Sequence, residues 1–221
     1  MSRRLYTVNE NYFSLLTPDS CYWAGFIAAD GYISPIRYRK NGGVKARESL
    51  RIDLSEKDKS HLESFKRYIN YTGPIREYTT NVGNPYCSLQ LDGVPKLVHD
   101  LNSNFNITTK KSLTLLPPEL DEENILPFIA GYFDGDGTLN FSYRGNRRDC
   151  NVSFVGTKPL LSWIKNWVDI NCPPPIKKWS QVNTSPGNYF VYGFSGKRAE
   201  AFAKLIEDVN IPRLERKMLY L

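Results

Sequence analysis

The sequence predicts an α/β (α+β) protein made of two related repeats, each with the order helix, strand, strand, helix, strand, strand, helix. The first observation is an internal repeat, because WAGFIAADG at 23–31 and IAGYFDGDG at 129–137 align without a gap, 106 residues apart in a chain of 221. The second is that the segments after each copy show strand and helix periodicity in the same succession. Hydrophobic residues at 41% and aromatic residues at 13% are enough to build a core.

In the first half, two segments alternate with the period of a half-buried strand. SLRIDL at 49–54 places its leucines and isoleucine on one face, and YCSLQL at 86–91 does the same with its cysteine and leucines. KDKSHLESFKRYI lies between them and predicts an amphipathic helix. VPKLVHDLN predicts the closing helix, with Pro95 in its first turn, where proline is tolerated.

The second half repeats this succession. TLNFSYR at 138–144 and CNVSF at 150–154 predict two strands, and KPLLSWIKNWVDI at 158–170 predicts the helix that follows. NYFVYGF predicts the later strand and KRAEAFAKLIEDV the closing helix. Trp163 and Trp167 lie one helical turn apart, and we expect both in the core.

The segment 106–124, NITTKKSLTLLPPELDEEN, has no sustained period and predicts a linker between a repeat at 1–105 and a repeat at 125–221. A similar segment, NIPRLERKMLYL, follows the second closing helix. Lys111 and Lys217 therefore share the offset of the two motifs, 106 residues. We expect these two lysines to be phosphate contacts or solvated charges.

Charge and cysteine usage limit the class of protein. With 29 Lys plus Arg against 23 Asp plus Glu, the net charge of +6 favours a polyanionic partner. The four cysteines form no C-x-x-C pair and the chain has only two histidines, so we expect buried reduced thiols and no zinc site. No signal-like or membrane-length apolar run is present, and we expect a protein of the bacterial or phage-host cytoplasm, or of an organellar matrix.

The repeated motif has small residues one helical turn apart, Gly25 with Ala29 and Gly131 with Gly135, so two such helices can approach closely. If they pack with the same polarity, their last acidic residues, Asp30 and Asp136, lie side by side. Two carboxylates at the negative ends of two helix dipoles repel each other, and a divalent cation would relieve the repulsion. Hard oxygen ligands beside a basic surface suit Mg²⁺ and metal-assisted phosphodiester hydrolysis.

These two motifs resemble the paired signature of the LAGLIDADG homing endonucleases in their single-chain, two-motif form. The double copy, its spacing and the order of strands extend the resemblance over nearly the whole chain. It implies a monomer in which the motif helices form the central interface and two curved, four-stranded antiparallel sheets form a saddle over double-stranded DNA. The implied reaction is a staggered double-strand cut with 3′ overhangs at a long asymmetric site, with Mg²⁺ or Mn²⁺, which promotes homing of an intron or mobile element.

The resemblance also implies roles for single residues. Asp30 and Asp136 would bind metal and cut one strand each, with the carbonyl groups of Ala29 and Gly135 as further metal ligands. Family members carry a supporting lysine near the start of the closing helix, which Lys197 matches. The first half offers only Lys96, displaced by a few residues, so we expect unequal catalysis on the two strands if Lys96 fails to reach the site.

The outward positions of the predicted strands would face DNA. The basic segment RYRKNGGVKAR at 37–47 suits a hairpin tip on the phosphate backbone, with a solvated loop as the alternative. The predicted DNA contacts are Ser34, Arg37, Arg39, Lys40, Lys45, Arg47, Ser49, Arg51, Asp53, Arg76, Tyr86, Ser88, Gln90, Asn140, Ser142, Arg144, Asn151, Ser153, Lys177 and Tyr189.

Other classes of site fit the second motif less well. FDGDGTL resembles the D-x-D-G-T signature of haloacid dehalogenase-like phosphatases, but the chain after Asp134 is too short for their sheet and the first copy has Ala28 at this position. A calcium-binding EF-hand would require a bidentate glutamate where the chain has Gly145. We therefore predict that Asp134 is structural, with local hydrogen bonds at the helix end.

The other function class is a binding protein. Relatives of this fold include RNA maturases and non-cleaving nucleic-acid-binding proteins, and the loss of either acidic residue would favour them. Both acidic residues are present, which favours cleavage. The chain lacks the terminal residues that intein splicing needs, so we expect a freestanding or intron-encoded enzyme.

Overall fold

The structure is a computed structural model that describes residues 5–38, 42–46, 48–144, 147–173, 183–185 and 189–218. Within these ranges the helices are α1 (Pro18–Asp30), α2 (Lys59–Tyr68), α3 (Pro95–Phe105), α4 (Lys111–Thr114), α5 (Glu122–Asp136), α6 (Lys158–Asn171) and α7 (Lys197–Asp208). The strands are β1 (Gly31–Ser34), β2 (Arg37–Tyr38), β3 (Val44–Ala46), β4 (Ser49–Ser55), β5 (Arg76–Thr79), β6 (Pro85–Asp92), β7 (Gly137–Arg144), β8 (Arg147–Gly156), β9 (Asn183–Ser185) and β10 (Tyr189–Ser195). Both halves follow the predicted order of elements.

Each half contains one four-stranded antiparallel sheet, and the two strand orders are equivalent: β1-β4-β6-β5 and β7-β8-β10-β9. The core face of the first sheet shows the predicted alternation, since Leu50 pairs with Leu91 and Ile52 pairs with Leu89. All four of these side chains are fully buried. The predicted fold class, two related αββαββα repeats, is confirmed.

The first half also contains a short strand pair that has no counterpart in the described part of the second half. β2 and β3 are antiparallel neighbours within the basic segment 37–47, which was predicted to form a hairpin. This pair separates β1 from β4 along the chain.

The motif helices begin in different ways. α1 has a capping box, in which the Thr17 hydroxyl accepts from the backbone N–H of Ser20 and the Ser20 hydroxyl accepts from the backbone N–H of Thr17. Pro18 stands at the first helical position, where its missing N–H costs nothing. α5 instead has Glu122 and Glu123 in its first turn, where carboxylates interact favourably with the helix dipole.

The predicted linker contains structure that its sequence pattern did not predict. α4 forms a single turn there, its first residue Lys111 is buried, and α5 begins at Glu122. The limits of the two repeats, 1–105 and 125–221, remain predictions.

The core lies between the sheets and the helices that cover their inner faces. α2 and α3 contact the first sheet, and α6 and α7 contact the second. The four cysteines are free and buried, as predicted, and Trp163 and Trp167 pack partly buried against the core. In the part of the chain that the structure describes, no helix is long and apolar enough to cross a membrane.

α1 and α5 pack against each other at backbone contact distance. A Cβ atom built on Gly25 would lie 2.1 Å from the carbonyl oxygen of Phe128, and one built on Gly131 would lie 1.9 Å from the carbonyl oxygen of Tyr22. Farther along, a Cβ on Gly135 would lie 2.2 Å from the Cβ of Ala29. Because the contacts advance along both helices together, the helices are parallel.

We expect Gly131→Ala to destabilise the protein by about 1–3 kcal/mol or more, since the added methyl group meets backbone that cannot rotate away. Chemical denaturation of the metal-free protein measures this loss. Gly193→Ala is the matched control, because a Cβ at that position meets its nearest atom at 3.5 Å, an ordinary contact. Equal stability of the two variants would contradict the close helix contact.

Candidate active site

The two motif helices end side by side, and each ends with an aspartate. Asp30 is the last residue of α1 and Asp136 the last residue of α5, and extended glycines follow both. A Cβ built on Gly135 would lie 3.4 Å from Oδ2 of Asp30. The carboxylate of α1 therefore lies over the last turn of α5, as the paired-motif prediction required.

This pairing is electrostatically unfavourable in the protein alone. The pKa of Asp30 is raised to about 6, first by burial and then by the charge of Asp136, while Lys217 and Lys111 oppose the rise. The pKa of Asp136 is also raised by burial, against the same two lysines. Each carboxylate also lies at the negative end of its own helix, which disfavours its charge further.

Lys111 lies against the end of α1. Its Nζ donates to the carbonyl oxygens of Ala28 at 2.7 Å and Ala29 at 2.5 Å, and the side chain is only 8% exposed. The expectation of a solvated charge is wrong for this residue, and a phosphate contact stays a prediction. The pKa of Lys111 is lowered by burial, and Asp136 and Asp30 limit the change.

Lys217 takes the corresponding place at the end of α5. Its Nζ donates to the carbonyl oxygens of Phe133 at 2.9 Å, Gly135 at 2.9 Å and Gly137 at 2.6 Å. The side chain is half-buried, so the expectation of a solvated charge is wrong here too. The pKa of Lys217 is lowered to about 8, mainly by burial and then by Arg216.

Lys111 and Lys217 occupy the positions beside the two aspartates that the resemblance led us to expect for Lys96 and Lys197. Lys111 and Lys217 are 106 residues apart, the same separation as Asp30 and Asp136. That shared offset was the signal in the sequence that could have placed them at the site, because a repeated fold places residues of equal offset in equivalent positions.

Lys96 and Lys197 do not occupy this place. Nζ of Lys96 donates to both carboxylate oxygens of Asp100 at 2.5 Å and to the hydroxyl of Ser14 at 2.9 Å. Lys197 is exposed at the first position of α7. In the described part of the chain the cations that act on Asp30 are Lys217, Lys111 and Arg216. The role predicted for Lys96 is contradicted by this geometry, because its ammonium group pairs with Asp100, whereas the role of Lys197 stays a prediction.

The donor set fits a divalent cation bound by oxygen atoms. Both carboxylates reach the surface, Asp136 more than Asp30, although the surrounding helix ends still desolvate both of them. The carbonyl oxygens of Ala29 and Gly135, predicted as further ligands, each already accept one hydrogen bond from a lysine. A carbonyl oxygen has a second lone pair, so each could still hold a metal. No cluster of three or more His, Cys, Asp or Glu occurs in the described residues, which leaves carbonyl and external oxygens to complete a coordination shell.

Asp134 is structural, as predicted, but its hydrogen bonds are not local. The side chain is fully buried, and its carboxylate accepts from the Tyr22 hydroxyl at 2.7 Å, from two nitrogens of Arg213 at 2.9 Å each and from the Leu214 N–H at 2.9 Å. Its partners come from α1 and from the segment after α7. The pattern of one motif could not reveal partners so distant in sequence.

The outer faces of both sheets carry most of the predicted DNA contacts. Among these, Arg37, Arg51, Asp53, Arg76, Gln90, Asn140, Ser142 and Tyr189 are exposed, and Ser49, Tyr86, Asn151 and Ser153 are partly exposed. Some of these side chains interact with one another: Arg51 pairs with Asp53 at 3.2 Å and lies 5.4 Å from the Tyr32 ring centre. Most of the strand-based prediction is therefore compatible with a polar surface open to a ligand.

The remaining predicted DNA contacts are either buried or not fully described by the structure. Ser34 and Ser88 are buried, at 8% and 6% exposure, so their assignment to the open surface is corrected. Four predicted residues lie outside the described part of the chain: Arg39, Lys40, Arg47 and Lys177. For two others, Lys45 in β3 and Arg144 in β7, the structure describes the strand position alone.

Comparison with known proteins gives a family match for part of the chain and a shared fold for most of it. Residues 23–117 match the family model described as LAGLIDADG endonuclease. The fold is similar to that of I-LtrWI, a LAGLIDADG homing endonuclease bound to target DNA, with a TM-score of 0.61 and 12% identity over 95% of this chain and 87% of that chain. No curated protein sequence matches the chain.

Two meganucleases give further matches. I-AabMI, bound to uncleaved DNA, has a TM-score of 0.57 and 14% identity over 91% of this chain and 87% of its own. I-SmaMI, bound to uncleavable DNA, has a TM-score of 0.53 and 15% identity over 79% and 78%. The resemblance inferred from the two motifs is confirmed: the first half matches the LAGLIDADG endonuclease family, and both halves share the fold of its single-chain, two-motif members.

We expect Asp30→Asn to stabilise the metal-free protein at neutral pH, because it removes one of two facing carboxylates. The folded-state pKa of Asp30, about 6, lies above the ordinary value near 4, so the folded state binds this proton more readily. The contribution of Asp30 to stability therefore falls as pH rises from about 4 to about 6 and stays low above that.

The advantage of Asp30→Asn should thus be largest at neutral pH and should shrink towards pH 4, which denaturation in a metal chelator would measure. Asp208→Asn is the matched control for a single carboxylate at a helix end, and it should give the smaller gain. A variant that is clearly less stable than the parent at neutral pH would contradict the paired geometry.

Proposed function

We propose that this protein is a site-specific homing endonuclease. It makes a divalent-metal-dependent, staggered double-strand cut with 3′ overhangs in a long asymmetric DNA target, and thereby promotes homing of an intron or mobile element. Mg²⁺ is the proposed cation and Mn²⁺ a substitute. A single chain supplies both halves of the site.

The observation that carries this proposal is the juxtaposition of Asp30 and Asp136 at the ends of two parallel helices, with a lysine at each end. Both carboxylates reach the surface, and many of the exposed strand positions carry polar side chains. A site for one strand on each side of a pseudo-twofold axis suits the antiparallel strands of duplex DNA. I-LtrWI, I-AabMI and I-SmaMI, which share the fold, are bound to DNA in their structures.

The residues of the site suit phosphodiester hydrolysis. Asp30 and Asp136, with the carbonyl oxygens of Ala29 and Gly135, would hold the cations, and I-SmaMI has been studied on its DNA target with calcium ions present. When bound, a divalent cation stabilises charge on the phosphate and lowers the pKa of a bound water. Asp30 would share a cation with the carbonyl oxygen of Gly135 from the other motif, because Oδ2 of Asp30 lies beside Gly135.

Lys111 and Lys217 would accept a proton and stabilise negative charge during the reaction. The pKa of Lys217, lowered to about 8, leaves part of its amine neutral near physiological pH, so its Nζ can accept a proton from an attacking water. In its charged form the same group stabilises negative charge that develops on the phosphate. Lys111 has the equivalent position for the second strand.

The outer faces of the sheets would read the target. Arg51, Gln90 and Asn140 project from central and edge strands, where side chains can reach base edges in the major groove. Arg76 on β5 lies near the sheet edge and suits a phosphate contact. The different sequences of the two outer faces account for an asymmetric target.

The test of this function is incubation of the full chain with a randomised duplex library and Mg²⁺ or Mn²⁺, followed by sequencing of the cut ends. We expect one family of long sites cut on both strands with 3′ overhangs. Specific binding without any cut would instead support a non-cleaving protein, and binding of structured RNA alone would support a maturase.

Replacement of either aspartate should separate binding from cleavage. We expect Asp136→Asn and Asp30→Asn to lower double-strand cleavage by at least about 100-fold, because each removes a charged metal ligand, while DNA affinity changes little. Gel shift and cleavage assays on the selected target measure the two properties. Asp208→Asn, at the end of α7, is the control, and full activity of Asp136→Asn would contradict the assigned site.

Affinity should fall steeply with salt, because lysine and arginine side chains release counterions from the phosphates. We expect Arg76→Ala to lower the slope of log K against log salt by about 1 if Arg76 contacts one phosphate. Lys204→Ala is the matched control, since Lys204 is exposed on α7, which covers the inner face of its sheet. Equal slopes for both variants and the parent would contradict a phosphate contact at Arg76.

A further inference from the structure

The two halves hold their lysines by different means. The sixth position of the motif is Ala28 in the first copy and Asp134 in the second. Asp134 is fully buried and accepts four hydrogen bonds, three of which come from Arg213 and Leu214 in the segment after α7. Ala28 has no polar side-chain atom that could make such a contact.

The bonds to Asp134 fix the start of the segment that carries Lys217. Arg213 is 3% exposed and makes a bidentate pair with Asp134, and its Nη1 donates to the carbonyl oxygen of Ile206 on α7 at 2.6 Å. This segment is therefore tied to both α5 and α7. Only Glu215 and Arg216 lie between Leu214 and Lys217, whose ammonium group lies at the end of α5.

Asp134 and the carbonyl groups that bind Lys217 lie together at the end of α5. Asp134 lies in the last turn of α5, and the carbonyl oxygens that accept from Lys217 belong to Phe133, Gly135 and Gly137. The buried ion pair thus sets the segment against the turn of helix to which Lys217 binds. From that position the charge of Lys217 lowers the pKa of Asp30 more than that of Lys111 or Arg216 does.

The first half reaches the equivalent geometry without an acidic residue. Lys111 is the first residue of the single-turn helix α4, and the carbonyl oxygen of Leu115, the residue directly after that helix, accepts from the Thr157 hydroxyl at 2.5 Å. Loss of Asp134 would therefore leave the contacts of Lys111 in place.

We propose that Asp134 is a positioning residue for Lys217, and that it serves the cut of only one DNA strand. This inference rests on the proposed endonuclease function. Asp134 touches no substrate in this arrangement and acts through Arg213 and Leu214. Its absence from the first motif makes the two half-sites depend on different interactions.

Strand-specific cleavage separates this role from general stabilisation. On a duplex target with the two strands labelled differently, Asp134→Asn should accumulate a nicked product, with the rate for one strand lowered at least about tenfold more than the rate for the other. The strand left intact should be the one that Lys217→Met leaves intact, and Lys111→Met should leave the opposite strand. Equal slowing of both strands by Asp134→Asn would overturn the proposal.

Tyr22→Phe is the matched control. It removes a hydrogen bond to the same carboxylate, but from α1, and leaves the bonds from Arg213 and Leu214 in place. It should lower stability without a bias between strands. Because an unpaired buried Arg213 can prevent folding, the double variant Asp134→Asn/Arg213→Met, which removes both charges, repeats the test and should show the same strand bias.

Hydrogen exchange gives a second readout that does not depend on cleavage. In Asp134→Asn the peptide 211–218 should lose protection, whereas the peptide 108–116 around Lys111 should keep it. Equal loss in both peptides would show that Asp134 stabilises the core alone and would overturn the proposal. Absence of any DNA cut by the parent protein would instead refute the endonuclease function, and the exchange result would still decide the positioning role.

Discussion

The backbone contact between α1 and α5 is the constraint on which the rest of the structure depends. Gly25 and Gly131 have no Cβ atoms, so each lies against a carbonyl oxygen of the opposite helix. Two parallel helices at this distance must end together. That common end brings two acidic residues from different halves of the chain into one site, and it leaves one sheet on either side of the helix pair.

Negative charge accumulates where the two helices end together, and two lysines compensate part of it. The last carbonyl groups of α1 and α5 have no partner within their own helices, and both helices end in a carboxylate. Lys111 and Lys217 bind the carbonyl oxygens and neutralise part of the negative charge. Burial lowers the pKa of both lysines, so the site contains amines of reduced basicity beside carboxyls of raised pKa, a combination typical of catalytic sites.

The linker and the tail therefore contribute side chains to the candidate site. Each lies after a closing helix and returns to the centre of the molecule, where it delivers one lysine. The tail is tied there by the buried pair of Arg213 with Asp134, and by the pair of Arg216 with Asp58 at 2.8 Å. The second of these joins the C-terminal segment to the first half, so that the two repeats share polar contacts as well as the apolar helix interface.

The sequence by itself determined the repeat, the order of elements, the core faces of the strands and the pairing of Asp30 with Asp136. These follow from local periodicity and from the equal offset of two motifs, which a repeated fold converts into symmetry. Only the tertiary structure decided that Lys111 and Lys217 lie at the ends of the motif helices and that Lys96 does not, because the partners of Lys96 are Ser14 and Asp100. It also decided that Asp134 binds Arg213, Leu214 and Tyr22, which lie 79, 80 and 112 positions away in the sequence. Such contacts depend on how returning segments cross the helix ends, and no local pattern of side chains encodes that path.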